Sequence, residues 1–276
     1  MENAPKFRIG SIHNHKDREY AARLLSQGYL VGIFNRGVCA IWGDCSNKKT
    51  IDLIEEIKGE RRGARPVALT LSLDQLVPML DFEKLHPRTR DLFLVVSDLK
   101  SKIGSLCFIR APIKMSHAKK IPRRAKSREN GLVFIQNWDA YGHDSTEEFI
   151  LLARKFGVKY PVVTSMNKSG HPEIVEQEQG ERFCKKEGIP IFLSDPLANP
   201  NLKGSYTIIN FDREGIKLMR DGNIPCSIIE KILQLPINKS QAKKPNHPQM
   251  SFPIHLTSGH PRKIRDAVLS YIEGDY

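Results

Sequence analysis

Short apolar strands alternate with amphipathic helices through most of this 276-residue chain, and this alternation limits the possible folds more than any other feature. Residues 17–28 place apolar side chains at helical spacing and end at Gly28, and the apolar run 29–34 follows directly. The same order returns later, with strands predicted at 66–72, 105–111, 131–136, 160–165 and 189–194, and helices at 50–58, 147–156 and 176–187. Strands that alternate with helices predict an α/β fold with a mixed sheet.

The end of this pattern predicts the domain organisation. The runs 205–211 and 215–222 are separated by three polar residues, which is typical of a hairpin, and the α/β domain is predicted to cover residues 17–235. Residues 236–253 are rich in Pro, Asn, Lys and Ser and lack an apolar period, so the segment 236–276 is predicted to be a linker or surface-wrapping segment with one further helix.

Two local patterns complete the prediction. Residues 35–47 read as a turn-like stretch between a strand and a helix. Ser145 and Glu148 match a capping box, in which the serine would begin a helix.

Charge and cysteine usage indicate a soluble protein with a polyanionic partner. The chain has 43 Lys and Arg against 31 Asp and Glu, a formal net charge of +12, and such an excess favours association with polyanions. No run approaches the roughly 18 apolar residues that a membrane span needs, and the N-terminus does not resemble a signal peptide. The five cysteines form no C-x-x-C pair, so we expect reduced thiols and a cytoplasmic location.

Two distant segments carry residues suited to phosphate chemistry. Four cations lie between Lys58 and Pro66, after a predicted helix and before a predicted strand, and the second segment, 164–170, reads Thr-Ser-Met-Asn-Lys-Ser-Gly at the end of a strand. Lysine binds phosphate as a point charge and arginine as a bidentate fork, and ligands gather at the carboxyl ends of strands in open α/β sheets. From the residues alone, a solvated charged turn and an ordinary Ser/Asn turn remain an equal alternative.

The order of these segments resembles the YrdC-like family of threonylcarbamoyl-adenylate synthases and their YciO-type relatives, over roughly residues 17–235. That family has a Lys-x-Arg segment before a strand and a later Ser-x-Asn-x-Ser-Gly. Its closing hairpin has a Thr-Ile-Val-Asp strand and then Arg-x-Gly, similar here to Thr207–Asn210 and to Arg220 and Gly222. The resemblance implies a twisted mixed sheet with helices packed on it and a concave basic surface.

The resemblance also implies an activity. Family members are nucleotidyltransferases that condense ATP with Mg²⁺, bicarbonate and L-threonine into threonylcarbamoyl-adenylate and pyrophosphate, a step of tRNA modification. Relatives bind double-stranded RNA, so a protein that only binds RNA, tRNA or a nucleotide is the main alternative. A small-molecule carbamoyl or acyl transferase on the same scaffold is a third hypothesis.

The family's site residues carry over one by one. Lys58 and Arg61 would contact phosphate as the catalytic pair, and Arg62 competes with Arg61 because the spacing to Pro66 is one residue longer than usual. The implied nucleotide site consists of Lys58, Arg61, Arg62, Arg123, Ser165, Asn167 and Ser169.

The amino-acid pocket departs from the family pattern. The threonine-rich run that shapes this pocket in the family is replaced by residues 34–41, where Asn35 and Arg36 stand at the pocket positions. Gln136 and Asn137 replace the arginine of the central strand. Loss of a hydroxyl or charge around which a site is built has a large effect on specificity, so the sequence leaves the amino acid open.

The segment 112–128 has seven cations and no acid, a composition that attracts phosphate backbones. The RNA-binding residues predicted here are Lys119, Lys120, Arg123, Arg124, Lys126 and Arg128, and a mobile surface loop is the competing interpretation. His13 and His15 would make only a weak metal pair, and we expect no metal site built from protein side chains.

Overall fold

The computed structural model describes residues 5–59, 67–140, 144–240 and 242–273. Its strands are β1 (Arg8–Ser11), β2 (Val31–Asn35), β3 (Val38–Asp44), β4 (Ala68–Leu69), β5 (Cys107–Pro112), β6 (Lys126–Glu129), β7 (Leu132–Trp138), β8 (Pro161–Ser165), β9 (Ile191–Ser194), β10 (Thr207–Asp212) and β11 (Gly215–Arg220). Its helices are α1 (His15–Ser26), α2 (Lys48–Lys58), α3 (Leu73–Leu76), α4 (Pro87–Leu94), α5 (Val96–Ile103), α6 (Met115–Ala118), α7 (Asp144–Lys155), α8 (Gln177–Lys186), α9 (Cys226–Leu233) and α10 (Pro261–Glu273).

All of these strands join one mixed sheet, which confirms the α/β prediction. The strand order is β1-β9-β2-β3-β8-β4-β7-β5-β10-β11, and β6 pairs with β7 beside this path. The pairs β1–β9, β2–β9, β4–β7 and β5–β10 are parallel, whereas β10 and β11 form the predicted hairpin. In the described ranges, no helix is long and apolar enough to cross a membrane.

The prediction of a turn-like stretch over 35–47 is wrong for most of its length. Residues 38–44 form β3, a fully buried strand that pairs with β2 on one side and β8 on the other. The turn between β2 and β3 consists of Arg36 and Gly37, whose φ angles are 40° and 89°. Two consecutive residues with positive φ match the twist of a two-residue hairpin, and glycine at the second position takes up this conformation without strain.

The strand β1 and the start of α7 also differ from the prediction. The four-residue strand β1 was not predicted, and it extends the sheet by pairing with β9. The helix α7 begins at Asp144, so Ser145 is its second residue, and Glu148 forms an ion pair with Arg18 of α1. The predicted capping box is therefore wrong, and the Ser145 hydroxyl has a different partner, described below.

Both faces of the sheet are covered by apolar layers. Along β3, Cys39 and Ile41 face one layer, while Val38, Ala40 and Trp42 face the other, as the two-residue period of a strand requires. The second layer lies under α1 and α7 and holds an aromatic cluster in which Trp42 contacts Trp138 and Phe149 at ring-centroid distances of 6.1 and 5.5 Å. Burial on both faces explains why the central strands read as continuous apolar runs.

The segment after α9 runs beside β11. Asn238 donates a backbone hydrogen bond to Ile216 and accepts one from Leu218, at 2.9 and 2.8 Å. Further along, Asn246 donates to a carboxylate oxygen of Glu173 at 2.6 Å, and Gln249 donates to the Gly222 carbonyl at 2.8 Å. The segment therefore lies against the sheet between β11 and the loop that follows β8.

Candidate nucleotide site

Lys58 is the last residue of α2, and its side chain is 7% exposed. Gly59 ends the helix in the left-handed conformation, with φ 60°, and donates to the carbonyls of Glu55 and Glu56. The Lys58 ammonium donates to the Ser165 carbonyl and to Oδ1 of Asn167, both at 2.8 Å. The structure thus brings together the two distant segments that the sequence analysis singled out.

The loop after β8 is held in one arrangement by its own side chains. Ser165 Oγ donates to Asn167 Oδ1 at 2.7 Å, and Asn167 Nδ2 donates to the His171 carbonyl at 2.5 Å. The Ser169 amide donates to the Lys58 carbonyl at 2.8 Å. Because Asn167 Oδ1 accepts from both Lys58 and Ser165, the loop and the ammonium form one polar network.

The charge of Lys58 is poorly compensated. Burial lowers the pKa of Lys58 to about 8, the negative charge of Glu173 opposes this shift, and the nearby cations Arg124 and Arg220 add to it. An ammonium has three donors, and only two hydrogen bonds reach Lys58 Nζ from the described residues. An anion placed beside Lys58 would therefore be stabilised by direct charge attraction in a partly desolvated setting.

Arg220, at the end of β11, lies in the same electrostatic neighbourhood. Its Nε and Nη2 donate to the Tyr206 carbonyl at 3.2 and 2.7 Å. The turn after Arg220 is fastened to β10, because the Gly222 amide donates to Thr207 Oγ1 at 2.9 Å. The charge of Arg220, in the hairpin formed by β10 and β11, therefore acts on Lys58.

The predicted basic residues near the site occupy different environments. Arg61 and Arg62 lie outside the residues that the structure describes. Arg123 is exposed, whereas the neighbouring Arg124 is half-buried, pairs with Glu55 of α2 at 3.0 Å and acts on the pKa of Lys58. Arg124 is thus the arginine of this segment whose charge reaches Lys58.

The hairpin residues Asn35 and Arg36 are buried, at 4% and 5% exposure. The Arg36 carbonyl accepts a hydrogen bond from Asn223 Nδ2 at 3.1 Å, and the same amide donates to the Gly204 carbonyl at 2.9 Å. Asn35 Oδ1 is fully enclosed and accepts no hydrogen bond from the described residues. An enclosed acceptor without a donor is costly, and a ligand with an N–H or O–H group would satisfy it.

Several residues around these positions were not singled out by sequence. Glu173 is buried and accepts from the Ser205 amide at 2.9 Å and from Asn246. Tyr206 has a buried hydroxyl without a hydrogen bond in the described part of the chain; its pKa is raised by burial, lowered by the charge of Arg36 and raised by that of Asp195. Glu173 lies in the loop after β8 and Tyr206 directly precedes β10, so only the tertiary fold shows that they converge.

The cations of the segment 112–128 divide into two groups. Lys126 donates to the carbonyls of Ala118 and Ile121, Lys114 donates to the Pro78 carbonyl, and Arg124 pairs with Glu55, so these three side chains hold the segment in place. Four cations are exposed and have no hydrogen-bond or ion-pair partner among the described residues: Lys119, Lys120, Arg123 and Arg128. The exposed group is the part of the segment that remains available to a polyanion.

Across the described ranges, no group of three or more His, Cys, Asp or Glu side chains is arranged to hold a metal ion.

Solved structures of known proteins share this fold. A doubly substituted variant of Sua5 from P. abyssi superposes with a TM-score of 0.64 at 17% identity over 86% of this chain. P. abyssi Sua5 complexed with L-threonine gives 0.63 at 18% identity over 84%. E. coli YciO gives 0.58 at 11% identity over 79% of this chain and 94% of its own length.

The present chain spans 65% and 62% of the two Sua5 chains. No protein-family model and no curated protein sequence matches it. At these identities the likeness concerns the fold, and it agrees with the resemblance in the order of motifs. The chain has the YrdC-like fold of Sua5 and YciO.

Proposed function

We propose that this protein is a nucleotide-binding enzyme of the YrdC type that forms a carbamoyl-adenylate from ATP, bicarbonate and an amino acid, for the modification of tRNA. The observation that carries the proposal is the contact of the Lys58 ammonium with Ser165 and Asn167. It places an incompletely neutralised cation beside a loop of short polar groups at the carboxyl end of a strand, where ligands bind in open α/β sheets.

The residues near Lys58 have complementary roles in this proposal. The remaining N–H of Lys58 binds a phosphate oxygen, and Arg220 and Arg124 add positive charge as the α-phosphorus is attacked by a carbamate oxygen. Ser165 and Asn167 orient the nucleotide and the carbamate. Phosphoryl and nucleotidyl transfer depend mainly on such positioning and electrostatic stabilisation.

The amino acid binds near the β2–β3 hairpin in this proposal. Asn35 Oδ1 accepts no hydrogen bond from the described residues, and an α-ammonium group is a suitable donor for it. Arg36 supplies a cation suited to the α-carboxylate. P. abyssi Sua5 has been solved with L-threonine, and L-threonine is the first amino acid to test here, although the threonine-rich run of the family is replaced.

The test is ATP- and bicarbonate-dependent release of pyrophosphate, measured with a panel of amino acids. Lys58→Ala is expected to reduce the rate roughly 100-fold or more, the usual loss when a transition-state charge stabiliser is removed. Lys48→Ala is the matched control, because Lys48 is an exposed lysine at the other end of the same helix. Absence of turnover with every amino acid would overturn the enzymatic proposal.

A second function, binding of tRNA or double-stranded RNA, is favoured by the four exposed cations of the segment 112–128. Its affinity is expected to fall steeply with salt, because each neutralised phosphate releases counterions. Lys119→Ala/Lys120→Ala is expected to weaken binding and lower the salt slope. Lys185→Ala/Lys186→Ala, an adjacent exposed pair on α8, is the control of equal charge, and equal weakening by both pairs would rule out this surface.

A further inference from the structure

Three side chains from distant parts of the chain form a hydrogen-bonded series beside the first turn of α7. Ser145 Oγ lies 3.0 Å from His13 Nδ1, and His13 Nε2 lies 2.8 Å from Asp195 Oδ1. His13 follows β1 and Asp195 follows β9, two parallel neighbouring strands that end side by side. This series is separate from the Lys58 contacts and has no role in the nucleotide chemistry proposed above.

The contacts fit one tautomer of the neutral imidazole. In the neutral ring, Nε2 carries the hydrogen and donates it to Asp195, because a carboxylate only accepts hydrogen bonds. Nδ1 of that tautomer accepts a hydrogen bond from the Ser145 hydroxyl. A serine that donates to a neutral imidazole, itself held by a carboxylate, is the arrangement that activates a nucleophilic hydroxyl.

The ring lies the other way round from the serine-protease arrangement, in which Nε2 faces the serine. This reversal leaves the chemistry intact, because either nitrogen of a neutral imidazole is a base when the other carries the hydrogen. Recognition of such a series depends on the geometry and the role of each group, and sequence order has no part in it.

The supporting contacts hold the series rigidly. Asp195 is 7% exposed, and its backbone exchanges two hydrogen bonds with the Gln177 side chain, at 2.7 and 2.8 Å. The Ile12 carbonyl, next to His13, accepts from Arg18 Nη1 at 2.6 Å, and Arg18 also pairs with Glu148 of α7. Thus α1, α7 and the end of β9 are fixed relative to one another around the imidazole.

The three side chains differ in solvent exposure in the way that a nucleophilic site requires. The Asp195 side chain is 9% exposed and that of His13 is 34% exposed, while Ser145 is partly exposed. The carboxylate is therefore shielded, and the hydroxyl can be reached from solvent. Ser145 also lies in the first turn of α7, where backbone N–H groups have no partner within the helix and can stabilise a developing oxyanion.

We infer that Ser145, His13 and Asp195 form a second catalytic site, in which Ser145 accepts an acyl group from an activated carboxylic ester. The Ser145 oxygen bonds to the carbonyl carbon while its proton passes to His13 Nδ1, and the bond from that carbon to the leaving oxygen breaks as His13 returns the proton to it. Water then attacks the acyl-serine, His13 takes the proton of the water, and Ser145 leaves reprotonated with release of the acid.

The probes are a fluorophosphonate, which loses fluoride when a serine oxygen attacks its phosphorus, and p-nitrophenyl acetate. The folded full chain is expected to gain one phosphonyl group, located on Ser145 by peptide mass spectrometry, and to release p-nitrophenol. Ser145→Ala should abolish both signals. Ser227→Ala is the matched control, because Ser227 is an exposed serine at the second position of α9 and has no imidazole partner among the described residues.

The role of the base is tested separately. His13→Ala is expected to slow labelling of Ser145 by about 100-fold or more, the usual contribution of a general base, and added imidazole should restore part of the rate. His13→Gln provides a second variant should the alanine protein unfold. A merely structural role for His13 would change thermal unfolding without any rescue by imidazole.

The inference is overturned if the folded protein is not labelled, if the adduct forms elsewhere, or if His13→Ala and His13→Gln label at the wild-type rate. Fluorophosphonate labelling needs neither ATP nor bicarbonate. Loss of the carbamoyl-adenylate activity and loss of this second site are therefore separate results.

Discussion

Gly222 lies so close to Thr207 that a Cβ atom at position 222 would come within 2.2 Å of the Thr207 backbone nitrogen. Gly222 also donates to Thr207 Oγ1, and this contact fastens the turn after Arg220 to β10. The position therefore requires glycine for space, although its φ is not in the left-handed region. The arrangement of Arg220 near Lys58 depends on this close approach of two backbone segments.

Gly222→Ala is expected to lower the free energy of unfolding by about 1–3 kcal/mol or more, the usual cost of overpacking, as measured by urea denaturation. Gly157→Ala is the control, because Gly157 has a φ of 98° but open space around its Cβ position, so its substitution reports backbone strain alone. A loss for Gly222→Ala no larger than that of Gly157→Ala would contradict the steric explanation.

The affinity for ATP is expected to fall as the pH rises through about 8, the pKa to which burial lowers Lys58. The reason is that only the protonated amine attracts phosphate. In Lys58→Arg, the guanidinium stays charged throughout this range, so any remaining affinity should not change between pH 7 and 9. Calorimetric titration at several pH values checks this prediction, and the same pH dependence in both proteins would exclude Lys58 as its source.

The same shift has a consequence for stability. The pKa of Lys58 is lowered from 10.5 to about 8 in the folded protein, so between these values the unfolded chain binds more protons, and the Lys58 contribution to the free energy of unfolding rises with pH. The rise is on the order of 3 kcal/mol, at 1.36 kcal/mol per pKa unit. Below pH 8 both states are protonated and this contribution is constant.

Lys58→Met isolates this contribution. Burial raises the pKa of the cysteine thiols, so their contribution to the free energy of unfolding falls as the pH rises. The wild type and Lys58→Met share this contribution, and it cancels in their difference. Urea denaturation of the two proteins at pH 7.5, 9 and 10.5 is expected to show a growing advantage of the wild type relative to Lys58→Met. A constant difference would mean that Lys58 keeps its ordinary pKa.

Asn246→Ala is expected to loosen the segment 242–250, because Asn246 donates to the buried carboxylate of Glu173 at 2.6 Å. The pKa of Glu173 is raised by burial but lowered overall by hydrogen bonds from Asn246 and Ser205. Loss of the Asn246 contact should therefore also lower the free energy of unfolding at pH values where Glu173 is ionised. Amide hydrogen exchange in this segment should speed up. Asn201→Ala, in an exposed loop, should leave it unchanged.

The sequence predicts most strands of the sheet but misses β1 at its edge and β3 in its interior. The strands β2, β5, β7, β8 and β9 stand out because burial on both faces makes them continuous apolar runs. β1 was missed because it is four residues long and contains Arg8 and Gly10, and β3 was missed because Asn35, Arg36 and Gly37 suggested a longer turn. The residues 35–37 could begin either a tight hairpin or a long loop. The hairpin forms because the residues that follow it pair with β8 as the strand β3.

The site was predictable only in part. The meeting of Lys58 with Ser165 and Asn167 followed from the order of motifs, whereas the roles of Glu173 and Asn223 depend on tertiary contacts that no local pattern specifies. The capping-box prediction at Ser145 failed because a hydroxyl at a helix start can bond to another element. His13 supplies that partner from 132 residues away.

Both tryptophans of the chain, Trp42 and Trp138, are fully buried in the layer beneath α1 and α7, with ring centroids 6.1 Å apart. Intrinsic tryptophan fluorescence therefore reports on this layer alone, with blue-shifted emission while the layer is intact. The opposite layer, which includes Phe93 and Phe211, gives no tryptophan signal. Comparison of fluorescence with far-ultraviolet circular dichroism during unfolding would thus show whether the two sides of the sheet melt together.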